Sequence, residues 1–218
     1  MTKIRTRVVL TAVACLVLTG AGVGAWVILS PSEPGSPLVR GTVEAMVLDR
    51  AEISALVGST LEAGPTASAP AAPFAASPES CAIAVGPATE AVYARGWQAF
   101  LATTYAGPAH SVTQVAGIYP SDSQAAAALR ALTDGVVGCP AAARTDRTGN
   151  TGWIYSVTDA GGDALTWTAR QYAGDGWACY REARVHANAL VQVAVCGVGD
   201  EAAATREIAD RLIGRGAR

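Results

Sequence analysis

The segment from Trp177 to Gly197, WACYREARVHANALVQVAVCG, constrains the fold more than any other part of the chain. Its two runs of alternating residues predict two β-strands joined by a two-residue turn at Ala187 and Asn188. With that turn, Cys179 lies directly opposite Cys196 on the neighbouring antiparallel strand. Opposed Cα atoms in such a pair are about 4.5 to 5.5 Å apart, a separation at which a disulfide can close. The spacing therefore predicts a disulfide-closed hairpin in a protein that folds in an oxidising compartment.

The remaining cysteines extend this argument. The chain has five cysteines, and Cys15 lies in an apolar run near the N-terminus. The other four allow three pairings. Since the hairpin pairs Cys179 with Cys196, Cys81 is left for Cys139. No CxxC motif occurs, which argues against a thioredoxin-like exchange site, and we expect both disulfides to be structural.

The N-terminus carries a second strong signal. Lys3, Arg5 and Arg7 precede an uncharged, mostly apolar run from Val8 to Leu29. A helix of about 22 residues is roughly 33 Å long, which is enough to cross the hydrocarbon core of a bilayer. The positive-inside preference would keep the three cations in the cytoplasm and place the rest of the chain outside.

Three alternatives exist for this run. It is an uncleaved anchor, a signal peptide cleaved near Val23–Ala25, or a lipoprotein signal ending at Cys15. All three place the bulk of the protein outside the cytoplasm, as a single-pass membrane protein or, after cleavage, as a secreted protein or lipoprotein. We therefore expect a cytoplasmic tail at residues 1–7, an anchor or signal at 8–29, a Pro- and Gly-rich linker at 30–45 and an extracytoplasmic domain at 46–218.

Within the domain, several segments have patterns typical of helices and strands. A capping box at Asp49 and Glu52 opens a short helix that ends at Gly58. A second box at Ser121 and Gln124 opens a longer helix that ends near Gly138, and a last helix begins near Asp200 and ends at Gly214. Strands are expected at 81–85, 111–119 with Gly117 as a possible bulge, 153–157, 164–172 and in the two arms of the hairpin.

The other segments are expected to be irregular. Residues 62–80, rich in alanine and proline, and the polar stretch 141–152 predict surface loops, and the conflicting signals at 88–106 leave its type open. In the second hairpin arm, residues 189–196 are mostly apolar on both faces, with Gln192 as the exception, which predicts a strand inside the sheet rather than at its edge. Strands paired in sequence order, with helices before, between and after them, predict an α+β domain: a twisted antiparallel sheet with helices packed on it.

The chain lacks the residue patterns that the common catalytic and metal-binding activities require. A net charge of −2 gives no basic footprint for nucleic acid. His110 and His186 have no second ligand at zinc spacing, and there is no GxSxG elbow. The adjacent acids Asp200 and Glu201 are typical of a helix N-terminus. We expect no catalytic residues, no metal and no cofactor, and therefore a protein that is not an enzyme.

The strand at 164–172 is the best candidate for a binding surface. Thr166, Thr168, Arg170 and Tyr172 share one face, while Leu165, Trp167 and Ala169 share the other. A polar face of this kind can form the floor of a ligand cleft. It is equally typical of a strand whose outer face is solvated.

The chain resembles the extracytoplasmic sensor domain of the mycobacterial serine/threonine kinase H type, a domain also found on kinase-free anchored proteins and lipoproteins of actinobacteria. The matching features span about residues 46–218: the four cysteines, the segment with Tyr93 and Gly96-Trp97, the strand running into Pro120-Ser121 and its helix, Asn188 in the turn, and the closing helix. The resemblance implies an antiparallel sheet with helices, two disulfides and a cleft for an unidentified ligand. Seven residues precede the apolar run, so we expect no kinase on this chain.

These observations predict a membrane-anchored, non-enzymatic sensor or ligand-binding domain facing the cell envelope, held by residues 8–29. The ligand is an unknown small molecule or envelope component. Two alternatives are an interaction module that docks on another cell-envelope protein, and an envelope hydrolase. A concave pocket with convergent polar groups would favour the ligand, and a large exposed apolar patch would favour the protein partner.

Overall fold

A single antiparallel sheet organises the protein in the computed structural model, which describes residues 42–94, 96–146 and 149–217. In these residues the sheet has nine strands in the order β1-β3-β4-β9-β8-β7-β6-β5-β2. The strands are β1 (Glu62–Ala67), β2 (Ala75–Ser77), β3 (Ala99–Ala106), β4 (His110–Ile118), β5 (Ala141–Asp146), β6 (Gly149–Gly161), β7 (Ala164–Gln171), β8 (Trp177–His186) and β9 (Ala189–Val198).

Helices cover both faces of this sheet. In the described part of the chain they are α1 (Thr42–Met46), α2 (Arg50–Leu56), α3 (Ala82–Val85), α4 (Asp122–Val137) and α5 (Ala202–Gly216), with a 3-10 turn at Glu79–Cys81 before α3. Helices α1, α2 and α5 pack on one face, and α3 and α4 pack on the other. The result is an α+β fold with the sheet as its middle layer, as the sequence predicts.

Strand β9 lies where the two cores meet. Its residues Val191, Val193 and Val195 belong to the core under α1, α2 and α5, whereas Leu190 belongs to the core under α4. Alternate residues of a strand point to opposite faces, so a strand covered on both sides is apolar throughout. The prediction that this strand lies inside the sheet is confirmed, since β9 pairs with β4 and β8.

The predicted hairpin and both predicted disulfides are present. His186 pairs with Ala189 across the turn, and Cys179 faces Cys196. The disulfides join Cys179 to Cys196 and Cys81 to Cys139. The capping box predicted at Asp49 and Glu52 is complete, whereas at Ser121 only the N-cap half of the predicted box is present, in which the Ser121 hydroxyl accepts a hydrogen bond from the Gln124 backbone amide.

Three segments differ from their predicted type. Residues 62–80 are not a continuous loop, because β1 pairs with β3 and β2 pairs with β5. All side chains of β1 are exposed, so the strand shows no apolar alternation. Likewise, residues 141–152 contain β5 and the start of β6 rather than a loop. Strands at or near a sheet edge are held by backbone pairing, which leaves little signal in the side chains.

Residues 81–85, expected to form a strand, are instead the end of the 3-10 turn and helix α3. A short apolar run does not distinguish helix from strand by itself. Cys81, Ala84 and Val85 are the buried residues of this run, a spacing of three and four that matches a helix.

Two helices also have boundaries that differ from the predicted ones. Helix α5 does not end at Gly214 but continues to Gly216, which packs against the Met46 side chain. Helix α1 begins at Thr42, inside the segment predicted to be a linker, and Val43 is buried. The predicted anchor at 8–29 lies outside the described residues. Within residues 42–94, 96–146 and 149–217, no helix has the length and apolar character to span a membrane.

Gly117 is not a bulge, because the pairing of β4 with β3 and β9 continues through it without a shift. A Cβ atom at this position would lie 2.6 Å and 2.8 Å from two carbons of the fully buried Tyr93 ring. We expect Gly117→Ala to lower the free energy of unfolding by about 1 to 3 kcal/mol, since the ring has no space to move away. Urea unfolding followed by fluorescence measures this loss.

Gly161→Ala is the matched control, because a Cβ atom there meets nothing within 4 Å. Its unfolding free energy should stay within about 0.5 kcal/mol of the wild-type value. Equal stability of the two variants would contradict the close approach of Tyr93 to β4.

Candidate functional site

A cleft of about 690 Å³ opens beside α5, on the sheet face that this helix covers only in part. The helix lies over β8 and β9, where the Thr205 hydroxyl donates a hydrogen bond to the Tyr180 carbonyl oxygen. Strand β7 lies beyond the helix, so its side chains on this face remain accessible. We call this space the polar cleft.

The floor of the polar cleft consists of paired residues from two strands. Thr166 lies opposite Glu182, and Thr168 lies opposite Tyr180. Directly opposed side chains of an antiparallel pair point to the same face. The two threonine hydroxyls therefore share one surface with the phenol and the carboxylate.

An ion network forms the inner end of the floor. Arg184 donates hydrogen bonds to Glu182 on its own strand and to Asp210 on α5. Glu182 is 4% exposed, whereas the Arg184 side chain is partly exposed. Burial by itself lowers the pKa of Arg184, but the hydrogen bonds that Arg184 donates to Asp210 and Glu182 outweigh this effect and raise that pKa. Because Arg184 bonds to both β8 and α5, this network fixes α5 to the floor.

The lining of the polar cleft carries more negative than positive charge. It includes the carboxylates of Asp159, Asp163, Glu182 and Asp200, against the guanidinium groups of Arg184 and Arg206. Arg181 also borders the cleft, but it alternates with Glu182 and so belongs to the opposite face of the sheet. A cleft with this balance suits a neutral or cationic ligand that forms hydrogen bonds, and it disfavours an anion.

The structure brings together half of the predicted ligand-binding residues. Thr166 and Thr168 line the polar cleft. Arg170 is exposed and does not line it, because it pairs with Ala178, beyond the first turn of α5. Tyr172 is 72% exposed and lies beside Trp153 and Ile154 in a separate shallow groove. The alternation predicted for β7 is correct, but the cleft covers only the half of the strand next to the helix.

Several lining residues are absent from the predicted set. Glu182 and Arg184 share a face of β8, and the hairpin pattern already placed them on alternate positions. Thr205 and Arg206 come from α5, whose docking position is a tertiary feature with no signal in the strand patterns. Reading the face of β8 together with that of β7 could have found the first two.

The two histidines take structural positions. The Nε2 atom of His110 lies 3.0 Å from a carboxylate oxygen of Glu201, which joins the start of β4 to the start of α5. His186 is the last residue of β8, beside the hairpin turn. Among the described residues, no group of three or more His, Cys, Asp or Glu side chains is arranged to hold a metal ion.

Comparison with known protein families assigns the chain to one of them. The family model for the PknH-like extracellular domain matches residues 38–215, which is most of the chain. The chain belongs to the PknH-like extracellular domain family. The matched region contains both disulfides, the whole sheet and all residues of the polar cleft.

Individual relatives agree with this assignment. The serine/threonine-protein kinase PknH of Mycobacterium tuberculosis is 25% identical over 197 residues, which cover 85% of this chain and 32% of the kinase. The PknH of Mycobacterium bovis is also 25% identical, with 33% of the kinase covered. The chain thus spans about a third of the length of the kinases that it matches.

A solved structure has the same fold. The crystal structure of the extracellular domain of PknH from Mycobacterium tuberculosis matches with a TM-score of 0.76 at 23% sequence identity. The match covers 84% of this chain and 98% of that domain. The resemblance seen in the sequence is therefore confirmed for the family and for its antiparallel sheet with helices. Membership of this family of extracellular domains places the matched region outside the cytoplasm.

Proposed function

We propose that this protein is a non-enzymatic sensor domain of the cell envelope, anchored by residues 8–29, that binds a small polar ligand in the polar cleft. The single observation that carries the proposal is the concave surface of threonine hydroxyls, a phenol and charged groups on β7, β8 and α5. Binding sites for small molecules are concave and hold a few convergent polar groups, as this cleft does. Family membership and two structural disulfides support an extracytoplasmic location.

The position of the polar cleft suits a sensor. One wall is α5, which is joined to the sheet through Arg184 and Asp210 and through Thr205 and Tyr180. A ligand held between the floor and this helix would stabilise their contact, because anything that binds only the folded arrangement shifts the population toward it. The signal would then pass through the position of the last helix of the domain.

The lining defines the chemistry of the ligand. Hydroxyl groups and excess carboxylate suit a polyhydroxylated or amine-bearing molecule. We therefore expect the full-length protein to bind glucosamine more tightly than glucose in isothermal titration calorimetry, since the amine adds a cation to the same hydroxyl pattern. Spermidine tests the contribution of charge without hydroxyl groups.

The variant Thr166→Val/Thr168→Val removes both floor hydroxyls with little change in shape. Each hydrogen bond contributes about 0.5 to 1.5 kcal/mol, so glucosamine affinity should fall about tenfold. Thr66→Val on β1 is the matched control, because Thr66 is exposed at the sheet edge and its substitution should leave the affinity unchanged. Absence of binding by all three compounds, or equal binding by the floor variant, would contradict a ligand in this cleft and favour docking on an envelope protein.

A further inference from the structure

A second cavity, of about 260 Å³, lies on the opposite face of the sheet from the polar cleft. Its floor is formed by residues of β3, β4, β9, β8 and β7, and its roof is the segment 71–89. The disulfide from Cys81 to Cys139 holds this roof segment to the end of α4. We call the cavity the arginine pocket, because Arg144 and Arg181 both line it.

Arg181 has no compensating charge within the part of the chain that the structure describes. It lies opposite Ala194 on β9 and Trp167 on β7, and none of the described carboxylates forms an ion pair with it. Its Nε atom is buried without a hydrogen-bond acceptor among the described residues. The titratable groups that act on it are the Tyr155 phenol, which is neutral at neutral pH because burial raises its pKa to about 12, and a second cation, Arg144. Burial lowers the pKa of Arg181 to about 10, so the guanidinium still carries its charge at neutral pH.

Two further donors at this pocket lack acceptors in the described part of the chain. Trp167 is 1% exposed, and its indole Nε1 has no partner. The guanidinium of Arg144 lies 4.8 Å from the centre of the Phe74 ring and donates to Asp146 from one terminal nitrogen, but its Nε is unpaired. A buried donor without an acceptor is destabilising by about as much as a lost hydrogen bond.

The other polar groups of the lining are satisfied. Gln192 donates to the Pro87 carbonyl oxygen at 2.8 Å and to the Tyr93 hydroxyl at 3.0 Å. The hydroxyls of Thr104 and Thr113 are 3.2 Å apart and bond to each other. Among the described residues, the lining of the arginine pocket therefore has spare donors and positive charge, and it lacks matching acceptors and negative charge.

The rest of the lining is apolar. Phe74, Val85 and Pro87 form the roof, and Ala102, Val115 and Ala194 contribute to the floor. At about 30 Å³ for each water-sized group, the cavity has room for roughly eight or nine non-hydrogen atoms. An apolar lining of this size excludes a large or strongly hydrated ligand.

We propose that the arginine pocket binds a small organic carboxylate with a compact apolar or aromatic body. The carboxylate would pair with Arg181 and take up the free N–H groups of Arg181 and Trp167, since guanidinium groups bind carboxylates through paired hydrogen bonds. The body of the ligand would fill the space between Phe74, Val85 and Val115. This site is separate from the polar cleft, and its test does not depend on the ligand of that cleft.

Three compounds test the negative charge and the apolar body of the proposed ligand separately: benzoate, benzamide and inorganic phosphate. Benzoate has the proposed charge and body, benzamide has the body without the charge, and phosphate has the charge without the body. We expect benzoate to bind the full-length protein with a Kd of about 1 mM or tighter, and the other two at least about tenfold more weakly. At about ten times its Kd, benzoate should raise Tm by roughly 3 to 6 °C.

Arg181→Met tests the cation with a side chain of similar length. Benzoate affinity should fall by at least about tenfold, and Tm without ligand should rise by roughly 2 to 8 °C, because the variant removes a partly buried charge that has no ion-pair partner among the described residues. The rise in Tm shows that any loss of binding is not a loss of folding. Arg130→Met on the exposed surface of α4 is the matched control and should change neither quantity.

Three results would overturn the proposal. They are the absence of benzoate binding, equal binding of benzoate and benzamide, and unchanged benzoate affinity in Arg181→Met. If phosphate bound as tightly as benzoate, the proposed apolar body of the ligand would be wrong, and the pocket would be a simple anion site. None of these results bears on glucosamine binding in the polar cleft, so the two sites are tested independently.

Discussion

Replacing both Cys81 and Cys139 by alanine should lower the free energy of unfolding by about 4 kcal/mol. These cysteines are 58 residues apart, and a disulfide restricts the unfolded chain more strongly when the loop that it closes is longer. The loop contains the second part of the roof of the arginine pocket, residues 81–89, together with β3, β4 and α4. Urea unfolding of the full-length protein in non-reducing buffer measures this loss.

The second disulfide is the internal comparison. Cys179 and Cys196 are only 17 residues apart, so replacing this pair by alanine should lower the free energy of unfolding by about 3 kcal/mol. The hairpin that it closes is also held by the backbone pairing of β8 with β9. A larger loss for the hairpin pair than for Cys81 and Cys139 would contradict the loop-length argument.

Tyr93→Ala should lower the free energy of unfolding by about 3 to 5 kcal/mol. The Tyr93 ring is fully buried, packs edge-on against Phe100 at 5.1 Å, and lies over Gly117. Removing it leaves a cavity that the central strands cannot fill by moving closer. Burial also raises the pKa of the Tyr93 phenol, so its hydroxyl stays protonated, while it accepts a hydrogen bond from Gln192.

Two further variants separate the roles of the ring and the hydroxyl. Tyr93→Phe keeps the ring and should lose only about 1 kcal/mol, because Gln192 still donates to the Pro87 carbonyl oxygen. Combining Tyr93→Ala with Gly117→Ala should give less than the sum of the two losses, since removing the ring frees the space that the new methyl needs. A loss below about 1 kcal/mol for Tyr93→Ala would show that this ring is not part of the core.

The two cavities have complementary chemistry, although they lie on opposite faces of the same strands. In β8, Glu182 and Arg184 point to the polar cleft and Arg181 points to the arginine pocket. Arg184 has two carboxylate partners in the described structure, whereas Arg181 has none among those residues. A charge in the interior of a protein needs a partner of opposite charge, because leaving it unpaired is strongly destabilising. The paired arginine therefore has a structural role, and the unpaired one suits a binding role.

The proposed sensor function requires a ligand-dependent change in the domain. The polar cleft lies between the sheet and α5, and the arginine pocket lies between the sheet and the segment 71–89, which contains β2 and α3. A ligand in the polar cleft would strengthen the contacts between α5 and the sheet, and a ligand in the arginine pocket would strengthen those between the segment 71–89 and the sheet. Such coupling is energetic and needs no large rearrangement.

The sequence by itself determined the parts of this protein that depend on local pattern. The alternation in the two hairpin arms fixed the register of β8 and β9, and this register paired Cys179 with Cys196. The helix α4 followed from its N-cap at Ser121 and its apolar spacing, and the two faces of β7 followed from alternation. These features need only residues that are close in sequence, where side-chain period and turn length act directly.

Only the tertiary structure decided the features that join distant segments. The edge strands β1 and β2 are held by backbone hydrogen bonds to β3 and β5, and the side chains of β1 are all exposed and carry no pattern. The position of α5 decided that Thr166 and Thr168 line a cleft while Arg170 does not. The arginine pocket combines Arg144, Trp167 and Arg181 from three strands under a roof from a fourth part of the chain. Burial and the absence of a partner arise from packing across the whole sheet, and no local period in the sequence encodes them.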